Sequence, residues 1–496
     1  MLKMFASDQS SRLCRVPGGL SKFAGFAAIA LASLSSMSAS AQCTPNWVQR
    51  TVTGPSARED ARMVYDPVSQ QVILFGGANY TTGLRYNDTW AWNGTAWNQQ
   101  FPTGTLPPPR SGQGMAYDVS RSRVALYGGN LPNNVTNYGD TWEYDGTSWT
   151  QVSTSGGSKR YAPGFAFDTN RNVIMLVAGQ TDNNQSYRDA WAWDGSTWTR
   201  ESTAGPINGY GISFDYDRVR KTAIFFGGTT YYGNLPRYND TWEWNGLTWT
   251  KRTPATLPPV RRFAPMVFDV AREAMVLFGG DGANNVFLPD TWTWNGTNWT
   301  QLAVSGPSAR RDAAMAYDEA RGEIVLFGGF DTALRGDTWV LPSPLGIIKH
   351  PSNTGVCKNG AAFFQVKAVG VGNLTYQWRR NSEPIDPGIN PSALNSTLAL
   401  YGAQPSDEAS YDVVVTGDCG SVTSSPATFS ICRADFSCDG VVDDYDFTLF
   451  VFAYNLLACD DPDMMPGCPS DLNGDTVVDD ADFVVFIQAY NKLVCS

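Results

Sequence analysis

The feature that most constrains this chain is a unit of 49 to 52 residues that recurs six times between residues 46 and 341. Its clearest copy, Met266 to Thr300, reads MVFDVAREAMVLFGGDGANNVFLPDTWTWNGTNWT. An apolar run closes on a glycine pair, Asp-Thr-Trp follows a variable segment, and a second Trp stands seven residues after the first. The pairs fall at Gly76-Gly77, Gly128-Gly129, Ala178-Gly179, Gly227-Gly228, Gly279-Gly280 and Gly328-Gly329. A chain that repeats at this period must bury each unit against its neighbours, because one unit is too small to cover its own apolar faces.

Each unit reads as four short strands. In the first copy Ala61 to Tyr65 alternates toward Asp66, and Val72 to Phe75 is continuously apolar, as in a strand buried on both faces. Asp88-Thr89-Trp90-Ala91-Trp92 is a third strand. Asn93-Gly94 is a turn, and Ala96-Trp97-Asn98 begins a fourth strand. The turn pair recurs at Asp145-Gly146, Asp194-Gly195, Asn245-Gly246 and Asn295-Gly296. Such pairs accept positive φ and predict a two-residue hairpin turn between antiparallel neighbours.

This pattern resembles the kelch repeat. The resemblance rests on the glycine pair after the second strand and on the two spaced aromatics, as at Trp90 and Trp97, and it implies a six-bladed β-propeller. Ala178 departs from the glycine pair and predicts a strained or slightly altered turn rather than a lost blade. The sixth copy stops at Asp337-Thr338-Trp339-Val340-Leu341 without its second Trp strand. Asn46-Trp47-Val48-Gln49, followed by Gly54-Pro55-Ser56-Ala57-Arg58, matches Asn298-Trp299-Thr300-Gln301 and Gly306-Pro307-Ser308-Ala309-Arg310. The expectation is a ring over residues 42–342, closed by the N-terminal strand as the outer strand of the sixth blade, which leaves no open edge.

Residues 1–41 read as a secretory signal, with Lys3, Arg12, Arg15 and Lys22 before an apolar run from Phe23 to Leu34 and a small-residue cleavage site at Ala39-Ser40-Ala41. A lipid anchor on Cys43 is the alternative, but Gln42 stands where a lipoprotein signal needs a small residue. After cleavage the chain carries 32 Lys+Arg against 46 Asp+Glu, a net of −14, with no further stretch that spans a bilayer. The expected location is secreted or cell-surface. The acidity argues against nucleic acid as a partner, and eight Cys in an exported chain favour disulfides.

From Pro344 to Cys432 the repeat is gone, and the domain expected over 343–432 resembles an immunoglobulin-like sandwich. Strands are predicted at Ala362 to Val366, Leu374 to Trp378, Thr397 to Leu400 and Val413 to Val415. Trp378 is the buried Trp of that fold, and Asp407 to Tyr411 is its tyrosine corner. Val413 stands where the family's second Cys would be. The resemblance leaves Cys357 with Cys419 as the available pair.

Thirteen Asp and two bases lie between Arg433 and Ser496. Asp435, Ser437, Asp439, Gly440, Val441, Asp443 and Asp446 occupy positions 1, 3, 5, 6, 7, 9 and 12 of a twelve-residue loop. Asp471, Asn473, Asp475, Val477, Asp479 and Asp482 repeat the set 36 residues later. Calcium takes six to eight hard oxygens, and this spacing wraps alternate side chains and one backbone carbonyl around one ion. The bland reading is a solvated acidic tail. Each loop runs into an apolar helix, expected at Phe447 to Asn455 and Phe483 to Asn491. Loop plus exiting helix, duplicated, resembles a dockerin module over 433–496. It implies two calcium ions and a cohesin-like or cell-surface partner. Thr476 at position 6 of the second loop predicts weaker binding there. Cys459 with Cys468 is expected to close the intervening loop, while Cys432, Cys438 and Cys495 have no assigned partner and Cys43 is paired or free.

Arg58, Arg110, Arg160, Arg261 and Arg310 each stand eight residues before the Asp ending a first strand, with Ile207 at the place expected in repeat four. Five Arg and the loop tyrosines Tyr80, Tyr86, Tyr138, Tyr187, Tyr231, Tyr232 and Tyr238 form a candidate rim for a glycan or protein ligand. The bland reading pairs each Arg with backbone or Asp between blades. The repeated Asp of Asp-Thr-Trp reads as a turn residue before a strand.

Catalysis has little support. Kelch-type copper oxidases need His ligands, and the chain's one His, His350, is outside the repeats. The same lack removes Ser-His-Asp and zinc chemistry. If there is an enzyme here it is an O-glycosyl hydrolase working through a carboxylate pair, and no pair is singled out. The whole is expected to be all-β apart from the small α-helical calcium-loop module at the C-terminus: an exported modular binding protein, with a polysaccharide-degrading hydrolase docked through its C-terminal module as the rival.

Overall fold

The computed structural model describes residues 45–131, 136–154, 156–183, 185–206, 209–230, 236–438, 441–456, 459, 464, 470–473 and 475–490. The expected secretory signal, the Cys43 anchor and Ile207, Tyr231, Tyr232, Asp439, Gly440, Cys468, Asn491 and Cys495 lie outside them.

The repeats fold as six four-stranded antiparallel sheets among the described residues. The first holds Arg62–Asp66, Gln71–Phe75, Thr89–Trp92 and Trp97–Gln100, in that order. The next four repeat this arrangement, beginning with Gly114–Asp118, Gly164–Asp168, Ser213–Asp217 and Met266–Asp269. The sixth is completed from the other end of the chain. Val48–Arg50 pairs with Thr338–Pro342, in the register Val48↔Val340 and Arg50↔Thr338. Trp47, 5% exposed, packs edge-on to Phe278 of the fifth sheet. The first strands touch one another in order, and Ala314–Asp318 of the sixth sheet touches Arg62–Asp66 of the first. The second strands, such as Gln71–Phe75 and Ala274–Phe278, are buried on both faces, as their unbroken apolar sequence requires.

The outer tryptophans tie adjacent sheets together. Trp97 Nε1 donates to Thr338 Oγ1 of the sixth sheet at 2.9 Å, and Trp149, Trp198, Trp299 and Trp47 donate to Thr89, Thr141, Thr241 and Thr291. Thr of Asp-Thr-Trp is thus the acceptor for its neighbour's outer Trp. In the third repeat this Thr is Ala190, and the Nε1 of Trp249 has no partner.

The hairpin turns differ from expectation. Asn93 N donates to Ala96 O, so the two residues of the turn are Gly94 and Thr95 rather than Asn93 and Gly94, and positive φ falls on Gly94 while Asn93 does not adopt it. Asn93 instead accepts from the N–H groups of Thr95 and Ala96 through its side chain. Ala178 takes the left-handed conformation of a glycine, φ +55°, and the third sheet is complete around it.

After Pro342, Ser343 is fully buried and donates to the Asp269 carboxylate, and Gly346–Lys349 begins a β-sandwich. Thr375–Arg380 and Ala409–Gly417 are its central pair, with Ala427–Ile431 beside the latter, while Ala361–Gln365 and Thr397–Tyr401 form a separate pair. Trp378 is fully buried and donates to Asn395 O, and the Tyr411 hydroxyl donates to Asp407 O at 2.8 Å, closing the tyrosine corner.

Two helices complete the described chain, α1 (Asp444–Tyr454) and α2 (Asp480–Tyr490). Both begin three residues before the predicted starts. In α1 the reason is a capping box, in which Asp443 caps the first turn and Asp446 accepts from the Asp443 N–H. No helix of the described residues is long and apolar enough to cross a membrane.

Candidate functional site

Three places on this scaffold collect chemistry-bearing side chains. The first is the arginine set. Arg58 is 1% exposed, donates to both oxygens of Asp88 at 2.5 and 2.9 Å and to Gly76 O, and stacks on Tyr86 with 3.8 Å to the ring centre. Arg110, Arg160, Arg261 and Arg310 repeat the contact with Asp140, Asp189, Asp290 and Asp337, the Asp of Asp-Thr-Trp. That Asp also accepts from the Trp two residues on, as Asp140 does from Trp142 at 2.7 Å. Burial alone would raise these carboxyls, but the guanidinium and indole bonds outweigh it and hold Asp140, Asp189, Asp290 and Asp337 below the ordinary carboxylate range.

The rim expectation is corrected here. All five guanidinium groups are at most 1% exposed and engaged within their own repeat, so a ligand reaches none of them without breaking a buried ion pair. Tyr86, Tyr138 and Tyr187 are the platforms beneath Arg58, Arg110 and Arg160. Repeat four lacks the arginine. Gly209 stands in its place, its carbonyl taking the Gly179 N–H as the Arg carbonyls do for Gly77 and Gly129, so the equivalent position is Gly209 and not Ile207. There Asp240 pairs with Lys251 instead, and Trp242 Nε1 is left without an acceptor. The Asp that reads as a turn residue is therefore half of a buried pair. It stands 27 to 30 residues after its Arg, a separation that varies with the loop between them.

The second place lies two residues beyond the arginines. Asp60, Gly112, Ala162, Gly211, Phe263 and Asp312, one per repeat, all have φ between +47° and +64°. Their backbones are linked: Asp60 N donates to Asp312 O, Gly112 N to Asp60 O, Ala162 N to Gly112 O, Phe263 N to Gly211 O and Asp312 N to Phe263 O. Two of the six are acids, on adjacent sheets. The Asp60 carboxylate accepts from the hydroxyls of Tyr80 and Tyr161 at 2.7 and 2.5 Å, and Arg311 bridges Glu59 and Asp312 at 3.1 Å each. Burial pushes Glu59 up to about 7, opposed by Arg311 and reinforced by Asp60. Burial and the nearby Asp60 push Asp312 well above the carboxylate range despite Arg311. The signal for Asp60 and Asp312 in the sequence is slight, because the other copies carry Gly112, Ala162, Gly211 and Phe263 at the same repeated position.

The third place is the pair of acidic loops. Asp482 is fully buried; one oxygen accepts from the N–H groups of Leu472 and Asn473 and the other from Asp479 N. Asp471 accepts from the N–H groups of Asp475 and Thr476, Asn473 accepts from Asp475 N, and Asp475 from Val477 N. Carboxylate oxygens of Asp471, Asp475 and Asp482 converge within 4.8 Å of one another. This hard-oxygen donor set fits a calcium ion. Thr476 holds φ +74°, a conformation that favours glycine. In the first loop Asp446 is fully buried and accepts from Ser437 N and Asp443 N, and Asp435 is 4% exposed. Val441 and Val477 both stand exposed at position 7. The two loops share one core, in which Val442, Phe450, Val478 and Phe486 are buried. Tyr454 donates to Asp480, and Tyr490 reciprocally to Asp444.

The disulfide expectation is also corrected. Cys357 is bonded to Cys438, at a Cα separation of 5.7 Å, and not to Cys419. Cys357 follows the strand Thr354–Val356, whose parallel partner Ala427–Ile431 leads directly into the first loop, so position 4 of that loop arrives beside it. Cys419, Cys432 and Cys459 are also disulfide-bonded.

Residues 345–429 match the family described as Immunoglobulin I-set domain. This segment is an immunoglobulin-like domain. Among solved structures, the titin M3 domain is 20% identical, covering 18% of this chain and 95% of its own, with a TM-score of 0.16. The N-terminal Ig1-2 module of the Drosophila receptor protein tyrosine phosphatase DLAR is 14% identical, covering 29% and 60%, with a TM-score of 0.17. At such TM-scores these likenesses add nothing to the family match.

Proposed function

We propose that the chain is an exported modular binding protein: a six-bladed kelch-type propeller that holds a glycan or protein ligand, the immunoglobulin-like domain as spacer, and a dockerin-like module that attaches the whole to a cohesin-like or cell-surface partner when calcium is bound. The observation that carries it is the convergence of Asp471, Asp475 and Asp482. The propeller reading is supported by the cyclic order of contacts among the six first strands and by the pairing of Val48–Arg50 with the sixth sheet. Attachment is supported by the apolar side chains that α1 and α2 leave exposed, Phe447, Val451, Phe452, Phe483, Val484 and Val485, more than a solvated tail would carry. Calcium would be held by the loop carboxylates and by the position-7 carbonyls of Val441 and Val477. Titration calorimetry on the mature chain is expected to show two EDTA-reversible sites, the second weaker because Thr476 strains its loop. No calcium-dependent heat would sink the reading.

A second reading, a glycoside hydrolase carried by the same module, is favoured by the acids Glu59, Asp60 and Asp312, gathered in one buried cluster in which burial raises both Glu59 and Asp312. Cleavage of acidic or neutral polysaccharides, lost in Asp312→Asn, would establish it over the binding reading.

A further inference from the structure

The first strands of the six sheets enclose a channel of about 410 Å³. Their inner edges carry unpaired backbone groups, and the side chains two places before each strand-ending Asp line its wall. In five repeats these are Val64, Ala116, Ala166, Val267 and Ala316. In the fourth repeat the residue is Asp215. Its carboxylate is half-buried in the channel wall, one oxygen accepting from Tyr216 N and the other from Phe268 N of the next sheet, both at 2.8 Å. Among the described residues it forms no ion pair. Arg218, which acts on it from the channel's end, is paired with Glu319.

The other charged side chains of the lining are Arg62, Arg218, Asp312 and Glu319, of which Arg218 pairs with Glu319 and Asp312 with Arg311, among methionine, aromatic and small apolar side chains. A carboxylate such as Asp215 in that wall is expensive to leave ionised without a counter-charge. Burial accordingly raises its pKa, against the two backbone bonds. An anion would be repelled from it. A metal ion would find one carboxylate with both oxygens already accepting, whereas the carboxylates that converge closely enough for a metal lie in the C-terminal loop. An ammonium group needs only one such carboxylate, with strand-edge carbonyls for its remaining N–H groups, and it gains from the neighbouring aromatic rings. The channel's volume is that of a small-molecule site.

We propose that the channel binds a small organic ammonium ion, its charge paired with Asp215 and its apolar body against the methionine and aromatic wall that includes Met63, Met115, Phe165, Phe214, Met266 and Met315. This adds a small-molecule ligand in the channel to the glycan or protein ligand proposed for the propeller, and rests on the reading of the six sheets as one closed binding domain. The test uses the mature chain with phenethylammonium and cyclohexylammonium chlorides against the matching alcohols, followed by calorimetry and thermal unfolding. Saturable binding of an ammonium ion with a raised unfolding temperature is expected. The alcohols should bind at least tenfold more weakly, and Asp215→Asn should remove the preference. No saturable ammonium binding, alcohols binding equally, or a folded Asp215→Asn protein that keeps the preference would overturn the proposal. If Asp215→Asn does not fold, the wild-type comparison still decides. Calcium titration of the same samples reports on the attachment module independently, so failure of one reading is distinguishable from failure of the other.

Discussion

Trp249 and Ala190 show what one atom does in a repeated structure. In five sheet-to-sheet contacts a Thr hydroxyl accepts from the neighbouring outer Trp; at Ala190 there is none, and the indole N–H of Trp249 is left unpaired. A buried donor without a partner forfeits the bond and carries its desolvation cost. Ala190→Thr restores the contact made at Thr89, Thr141, Thr241, Thr291 and Thr338. It is expected to stabilise the protein by about 1 kcal/mol, read as a higher urea midpoint; a lower one would mean that the added methyl finds no room beside Val177 and Phe225. The arginines teach the same lesson. Their spacing from the strand-ending Asp is visible in the sequence, but which Asp each one meets is not, because the partner lies on the far side of a loop of variable length.

At the scale of elements, the seam between the first and last sheets carries the buried acids. Arg311 and Asp312 come from the sixth repeat and Glu59 and Asp60 from the first. Glu59 is raised to about 7, so between the ordinary glutamate value, about 4.3, and 7 the folded protein holds a proton that the unfolded chain has released. Stability contributed by that proton is complete below the lower value and is lost as pH rises through 7. Asp140, Asp189, Asp290 and Asp337 act in the opposite sense: their depressed pKa values stabilise the fold above the ordinary aspartate range, and this is lost as pH falls through their folded values. In Glu59→Gln the decline of stability between pH 5 and 7 should flatten, while acid unfolding below pH 4 should remain. Denaturation midpoints measured across pH 3 to 8 check both limbs.

On the scale of the whole molecule, the ends of the repeat array meet. Trp47 fills a gap beside Phe278 and donates to Thr291, and Val48–Arg50 supplies the strand that the sixth copy lacks. Trp47→Ala is expected to cost about 3 to 5 kcal/mol and to lower the unfolding temperature of the ring. An unchanged melting curve would show that the N-terminal strand is dispensable. Further along the chain, Ser343 on Asp269 and the bond between Cys357 and Cys438 tie successive modules together.

The sequence by itself determined the six repeats, the strands within them, the tryptophan pair, the buried Trp378, the Tyr411 corner and the loops that bring Asp471, Asp475 and Asp482 together. Each of these is specified by local periodicity, turn chemistry or fixed spacing, which survive without knowledge of what lies across the fold. Tertiary structure alone decided that the five arginines are interior, that Cys357 meets Cys438 across 81 residues, that Asp60 and Asp312 share one cluster, and that Asp215 looks into the channel. These depend on which distant segments approach within a few ångströms, and that is set by the packing of all six sheets at once.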